Sequence, residues 1–321
     1  MLKQIPYQTI HVNDGGKKTR ANGIEKLNRV KPPTNVFISA LFIVLGLVTL
    51  LPAVFVLILS LSSEASISQI GYSFFPKEWS LDTYAYLWKD RDSIGRSFLN
   101  SILVTGCGTA IGLFLCSTMG YALSRPGYYL KKFYSIFIFI PMLFSGGLVS
   151  SYMINTQVYG LANTYWVLML PIACSTFYII IMRTFFQTTV PDSIIESATI
   201  DGARQFRIFT QIVLPISLPA IATIGLFFTF GFWNDWFQAR MYLNTNRQDL
   251  YPLQYVLISI EKNLEFISKN AQFMTAGTTT KLPSETIRMA IVMVVVLPIA
   301  CSYPFFQKYF ISGLTIGAVK G

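Results

Sequence analysis

Long apolar runs separated by short polar intervals set the pattern of this chain. The apolar runs cover 36–61, 100–123, 133–153, 164–182, 216–236 and 286–306, each long enough for a helix to cross a bilayer. Between them lie a loop (62–96), a basic link (125–132), an uncharged turn (159–163), the stretch 191–215 and a long loop (237–284). In that last loop Leu257, Ile260, Leu264 and Ile267 recur at helical spacing, which predicts a short amphipathic helix. The expected fold is an all-α polytopic membrane protein with six transmembrane helices in 36–321, preceded by a polar tail (1–35) and ending in a short tail (307–321).

The stretch Pro191–Pro215, PDSIIESATIDGARQFRIFTQIVLP, is rich in polar residues yet held between two spans. Its pattern predicts two short helices and a bend. Ser193 and Glu196 have the S-x-x-E spacing of a capping box, which starts the first helix at Asp192 or Ser193. Gly202 then supplies a residue without Cβ where the backbone turns sharply. In the second run Phe206, Phe209, Ile212 and Val213 fall on one side, with Arg204, Arg207 and Gln211 largely on the other. Pro215 suits the first turn of the next span. Glu196 can cap its own helix, bind a basic partner residue, or do both, since a carboxylate has acceptor sites to spare. Ala198, Gly202 and Ala203 are small enough either for a partner to approach closely or for ordinary helix packing.

Composition narrows the class. With 53% hydrophobic and 12% charged residues in 321, an ordinary soluble domain is excluded. The net charge of +10 would suit nucleic acid, but the basic residues gather at span ends and in short loops, which points to orientation in a bilayer. The first tail carries Lys17, Lys18, Arg20, Lys26, Arg29 and Lys31, and the 125–132 link carries Arg125, Lys131 and Lys132 without an acid. The 62–96 loop is balanced. Both termini and 191–215 are therefore expected in the cytoplasm, with 62–96 and 237–284 outside. No apolar core precedes the basic tail, as a cleaved signal peptide would require.

Chemistry-bearing residues are few. Cys107, Cys116, Cys174 and Cys301 fall in apolar runs without metal-like spacing and read as reduced, packed thiols. His11 has no assigned role. Gly108-x-x-x-Gly112 fits close helix packing. Gly15-Gly16-Lys17-Lys18-Thr19 lacks both the spacing and the preceding strand of a phosphate loop, so the chain is expected to hold no ATP, metal or other cofactor. Trp233-Asn234-Asp235-Trp236 closes the fifth run, and Asp235 is the one acid at or near bilayer depth. Rings beside a polar pair suit a sugar on a solute path; the same residues also suit an interfacial tryptophan belt. Both readings stand at this point.

Glu196-x-Ala198-x-x-x-Gly202, followed after nine residues by Ile212-x-Leu214-Pro215, resembles the EAA motif of ABC importer permeases. Ile200-Asp201-Gly202-Ala203 resembles the carbohydrate-uptake, maltose-type branch, with Ser197 where that family usually has Ala. Asn100-Ser101, Tyr121-Ala122-Leu123-Ser124-Arg125 and Gly160-Leu161-Ala162-Asn163-Thr164 extend the likeness over most of the chain. Phe144-Ser145-Gly146-Gly147-Leu148 is similar to the LplC/YtcP-like oligosaccharide permeases, found mostly in Gram-positive bacteria. The ending Gly313-Leu314-Thr315 to Val319-Lys320-Gly321 resembles a maltose-type tail that reaches between two ATPases.

The resemblance implies a type I ABC importer permease fold in which 191–215 is a cytoplasmic coupling helix seated on an ATPase. It assigns coupling to Glu196, Ser197, Ala198, Asp201, Gly202 and Ala203, and leaves Trp233, Asn234, Asp235 and Trp236 as substrate-path candidates. It further implies a second permease subunit, two ATPase subunits holding ATP and Mg, an extracellular solute-binding protein that meets loop 237–284, an oligosaccharide substrate and a bacterial plasma membrane. No nucleic acid partner is implied, and the chain would supply alternating access rather than enzymatic chemistry. The nearest rival is the same machinery carrying a peptide or amino acid. A stand-alone secondary transporter would need several buried ionisable groups and internal repeats. An intramembrane enzyme would need a convergent nucleophile–base or metal-ligand set, and no span contains a His.

Overall fold

The computed structural model describes residues 32–270 and 284–318. The expectations for the tail up to residue 31, including His11 and the 15–19 glycine run, for 271–283 and for 319–321 lie outside those residues. Among the described residues all regular structure is helical, with one isolated antiparallel bridge between Ser62 and Trp79. The helices are α1 (Pro32–Ser60), α2 (Glu64–Ile70), α3 (Asp82–Lys89), α4 (Arg91–Ser124), α5 (Lys131–Leu143) and α6 (Gly147–Met153) with a π turn at Ile154–Val158. Then come α7 (Tyr165–Ala173), α8 (Thr176–Thr189), α9 (Asp192–Ile200) and α10 (Gln205–Ile208), the last continued by a π turn (Phe209–Val213) and Leu214–Ile216. The chain goes on through α11 (Leu218–Trp233), α12 (Phe237–Tyr242), a 3₁₀ turn (Thr245–Leu250), α13 (Leu253–Asn270) and α14 (Ser284–Ala318).

The chain divides into two compact units, Met1–Val54 and Phe55–Gly321. The first contributes the opening of α1, almost wholly apolar and exposed throughout 33–54. Helix starts at Pro32, so 32–35 belong to α1 rather than to the expected tail; proline costs nothing at a first helical position, where its N–H would be unpaired anyway.

The second unit is built on α4, which packs against α7, α8, α11 and α13. Gly-x-x-x-Gly of α4 is the seat of α11: a Cβ on Gly108 would lie 2.6 Å from the Phe232 ring, and one on Gly112 2.7 Å from Phe228. Gly120 performs the same service for α8, where the Arg183 backbone and Met182 stand 3.0 Å from such a Cβ. Because lipid is as apolar as these rings, close packing rather than escape from water holds such contacts in a bilayer. Phe186, Met182 and Phe228 are accordingly fully enclosed.

Among the described residues three helices, α1, α4 and residues 285–304 of α14, are long and apolar enough to cross a membrane singly. The third and fourth expected spans are bent pairs, and the fifth, expected over 216–236, is α11 joined at a bend to α10 of the 191–215 stretch; counting each pair as one span would bring the number to as many as six. The α5–α6 pair turns by 120° at Phe144-Ser145-Gly146-Gly147, with Pro141 in the last turn of α5 and Gly147 at φ +81°. The α7–α8 pair turns by 45° after Pro171, whose missing N–H leaves the Val167 carbonyl without its helical partner. The α10–α11 pair turns by 80° about Ser217, between Pro215 and Pro219. It is Pro219, not Pro215, that stands in the first turn of α11. At polar ends the helices outrun the apolar stretches, since polar residues beyond the bilayer can still be helical: α4 begins at Arg91, and α14 carries the expected tail in helix to Ala318. The amphipathic helix expected in the long loop is α13, with Leu257 and Leu264 buried and Ile260 half-buried; the Ile267 side chain lies outside the described ones.

Candidate functional site

The stretch 191–215 folds as two helices and a turn, as expected, but its details differ. Pro191 is the N-cap of α9, at φ −61° and ψ 137°, and no side chain caps the helix. Already extended, Pro191 lets helix begin at Asp192, so Ser193 falls inside it and the S-x-x-E box does not form; the Ser193 carbonyl instead accepts from Ser197 Oγ at 2.8 Å. The C-terminal end is a Schellman turn: Gly202 N–H donates to the Thr199 carbonyl and Ala203 N–H to that of Ala198, both at 3.0 Å. Gly202 sits at φ +81°, which an L residue adopts only with strain.

The six coupling candidates divide between two surroundings. Glu196, Ser197, Asp201 and Gly202 are exposed, whereas Ala198 is buried against the chain's own core and Ala203 is half-buried on it. A Cβ on Gly202 would meet nothing within 4 Å, so among the described residues no second backbone approaches there. Ile200 and Phe206 stand beside them, 86% and 74% exposed. Phe206 was expected on one side of the second run with Phe209, Ile212 and Val213. The π turn at Phe209–Val213 changes the angular step, so that Ile208, Phe209 and Val213 are buried while Phe206 points away.

Two residues from the last turn of α4 and its C-cap hold this stretch. Arg125 Nη1 donates to Asp192 Oδ1 at 2.9 Å, Nη2 to the Phe186 carbonyl at 3.4 Å and Nε to Ser124 Oγ at 2.9 Å. Its guanidinium lies over the Tyr121 ring, 5.3 Å from the centroid. The Tyr121 hydroxyl donates to Gln205 Oε1 at 3.2 Å, and its ring packs on Phe186 and Phe209. Tyr121, Arg125, Asp192, Glu196 and Gln205 border a cleft of ≈ 550 Å³. Sequence reasoning read Tyr121 and Arg125 as part of a family pattern without a contact; only the fold shows what they touch.

The substrate-path candidates do not converge. Trp233 is buried, donates from Nε1 to the Val295 carbonyl at 3.1 Å and meets Phe98 edge-on. With Phe98, Thr105 and Thr109 it borders an apolar cavity of ≈ 410 Å³. Asn234 is exposed and its amide turns back to the Phe230 carbonyl. Asp235 is half-buried and accepts the Gln238 N–H at 3.3 Å, in the first turn of α12. Trp236 lies under two cations, Lys262 at 5.2 Å and Arg240 at 5.9 Å from its ring centroid.

A second polar cluster, at the other end of α4, had no counterpart in the expectations beyond the quoted motifs. Asn100 Nδ2 donates to the carbonyls of Asp249 (2.7 Å) and Tyr251 (3.2 Å), and its Oδ1 accepts from Tyr165 at 2.8 Å. Ser101 Oγ accepts the buried Leu253 N–H at 2.8 Å, opening α13. Asn163, at φ +58°, accepts the Asn244 N–H at 2.7 Å. Nearby, Arg247 hydrogen-bonds Asp249 and holds its carboxyl below the usual carboxylate range. Glu64 closes the start of α14, accepting the Thr286 N–H and hydroxyl at 3.1 and 3.0 Å. Among the described residues no group of three His, Cys, Asp or Glu side chains is placed to hold a metal.

Comparison with known proteins adds three findings. Residues 108–316 match the model of a family described as "Binding-protein-dependent transport system inner membrane component". The chain is 37% identical over 276 residues to the protein LplC of Bacillus subtilis (strain 168), covering 86% of this chain and 91% of that protein. It is 36% identical over 289 residues to the polygalacturonan/rhamnogalacturonan transport system permease protein YtcP of the same organism, covering 89% and 98%. A crystal structure of a bacterial ABC transporter involved in the import of the acidic polysaccharide alginate contains a chain of the same fold. It superposes with a TM-score of 0.72 at 26% identity, over 91% of this chain and 100% of that one.

Proposed function

The chain belongs to the family of binding-protein-dependent transport system inner membrane components, a permease subunit rather than an enzyme, and from that premise we propose how it works. It is one half of a heteromeric ABC importer that moves an oligosaccharide delivered by an extracellular solute-binding protein. A second permease subunit completes the path, and two ATPase subunits supply ATP and Mg. The three single helices and three bent pairs make six spans, with both termini and α9 in the bacterial cytoplasm.

One observation carries the coupling role. The face of α9 and the turn after it presents Glu196, Ser197, Ile200, Asp201, Gly202 and Phe206 to the outside, with two large apolar side chains among them. A surface of that kind on a polar end of a permease suits a protein partner, here the ATPase. Ala198 and Ala203 hold the segment to the bundle from beneath. Of the path candidates, Asn234 and Trp236 retain surface to offer a solute, and Trp233 borders the α4–α11–α14 cavity.

Co-purification and ligand binding test the reading. Tagged at its C-terminus, the chain is expected to bring down a second permease and an ATPase; a chain that purifies alone and transports without ATP would overturn it. The cognate solute-binding protein is expected to bind fragments of complex polysaccharides, and a panel including polygalacturonan, rhamnogalacturonan and alginate oligomers reads out which. A binding protein that takes only peptides or amino acids would remove the sugar assignment. Cysteines placed near Lys131 and Arg204 should label only from the cytoplasmic side, and one at Glu261 only from outside.

A further inference from the structure

Arg125 stands where four elements meet: the C-terminus of α4, the last turn of α8 at Phe186, the first residue of α9 and, through Tyr121, the first residue of α10. We propose that Arg125, backed by Tyr121, is a positioning residue that ties the coupling stretch to α4, so that a push on α9 reaches the centre of the bundle. The proposal rests on the coupling role argued above.

Left to its covalent connections, α9 has little to transmit force with. It joins α8 through Val190-Pro191 alone and is followed by the Gly202 turn, so the chain offers a pivot on each side. Only Ile195 and Ala198 of α9 are buried. The two polar links fall at those weak points, Arg125 on Asp192 at the start of α9 and Tyr121 on Gln205 just past the Gly202 turn. Both come from α4, the helix that packs against α7, α8, α11 and α13. A displacement of α9 therefore reaches the central helix directly, instead of passing along α8 only.

The chemistry of the link favours direction over strength. The Arg125 side chain is 13% exposed and its three donor nitrogens serve three different acceptors, a division of labour that a single lysine ammonium cannot reproduce. Asp192 is 61% exposed, so its half of the pair is screened by water and adds little to stability. A link that holds geometry at low energetic weight is suited to a part that moves and returns.

The test uses the whole reconstituted complex with its binding protein and an oligosaccharide that protein binds, comparing wild type, Asp192→Asn, Arg125→Lys, Tyr121→Phe and the Asp192→Asn/Arg125→Lys double variant. Each single variant should keep its ATPase on co-purification yet lower sugar transported per ATP hydrolysed by about two- to fivefold, the range of a half-exposed ion pair for Asp192→Asn and Arg125→Lys and of one lost hydrogen bond for Tyr121→Phe. The double variant should be no worse than Arg125→Lys alone, because both changes cut one link. Unchanged transport per ATP in Arg125→Lys, or losses that multiply in the double variant, would overturn the proposal. Loss of the ATPase from Asp192→Asn would assign that carboxylate to the partner and overturn the internal link while leaving the coupling reading in place. A wild-type complex without any ATPase would remove the coupling reading itself.

Discussion

The two ends of α4 are built on opposite plans. At Asn100 and Ser101 the helix is bound to 249–253 by side chains that are themselves buried and whose partners are mostly backbone groups, with every bond to Asn100 at 3.2 Å or less. At Tyr121 and Arg125 the same helix meets a stretch that buries two residues of its first helix and leaves Ile200 and Phe206 in the open. One end is complete within this chain. The other is complete only on the side that faces the bundle. Satisfied, buried polar groups make a site rigid because each unpaired alternative is costly, whereas exposed apolar side chains on a lightly held segment leave surface for a partner.

Substitutions can break this contrast in order of size. Asn100→Leu takes the buried partner away from two carbonyls and a phenol hydroxyl that are themselves only partly buried, and should destabilise the chain by about 1–3 kcal/mol. Thermal unfolding of the purified chain in detergent would show it; a change within error would mean the 249–253 segment is held by other contacts. Gly202→Leu comes next. Among the described residues nothing lies within 4 Å of a Cβ at this turn, so the chain itself should lose roughly the 1–2 kcal/mol of a left-handed L residue. A seated partner would add overpacking of about 1–3 kcal/mol. Substrate-stimulated ATPase should fall well below that of Gly202→Asn, which tolerates the positive φ, and equal stimulation in both variants would argue that no partner seats at the turn.

Smaller effects sharpen the comparison. Phe206→Ser removes an exposed ring, so chain stability should stay within about 0.5 kcal/mol. ATPase binding should nevertheless weaken by about tenfold or more, as for an aromatic interface anchor; unaltered binding would move the interface off α10. Glu196→Gln, exposed and uncapped by its own neighbours, should cost roughly 0–1 kcal/mol in partner affinity. That loss should shrink further at high salt. A salt-insensitive, larger loss would give Glu196 a buried charge partner instead.

Much of the stretch 191–215 was legible because it depends on local rules. Gly202 sits at positive φ, where a residue without Cβ turns without strain, and of the two readings open for Ala198 the structure shows packing against the chain's own core. The capping box failed because helix starts depend on the residue before them: with Pro191 as the N-cap the helix begins at Asp192, one of the two expected starts, and Ser193 falls inside it. Phe206 was misplaced because the helical template assumes a constant angular step, which a π turn breaks. For Trp233–Trp236, types alone left two readings open, and neighbours from α11, α12, α13 and α14 then gave each residue a separate contact.

By itself the sequence determined the helical class, the apolar runs, the glycine turn and the family, since each rests on spacing or on residue identity within a short window. Only the tertiary structure decided which runs bend, that Gly108 and Gly112 receive Phe232 and Phe228, and that Asn100 and Arg125 close the two ends of α4. Those contacts join residues many turns apart, so their partners are chosen by how the helices pack, and no local pattern encodes that.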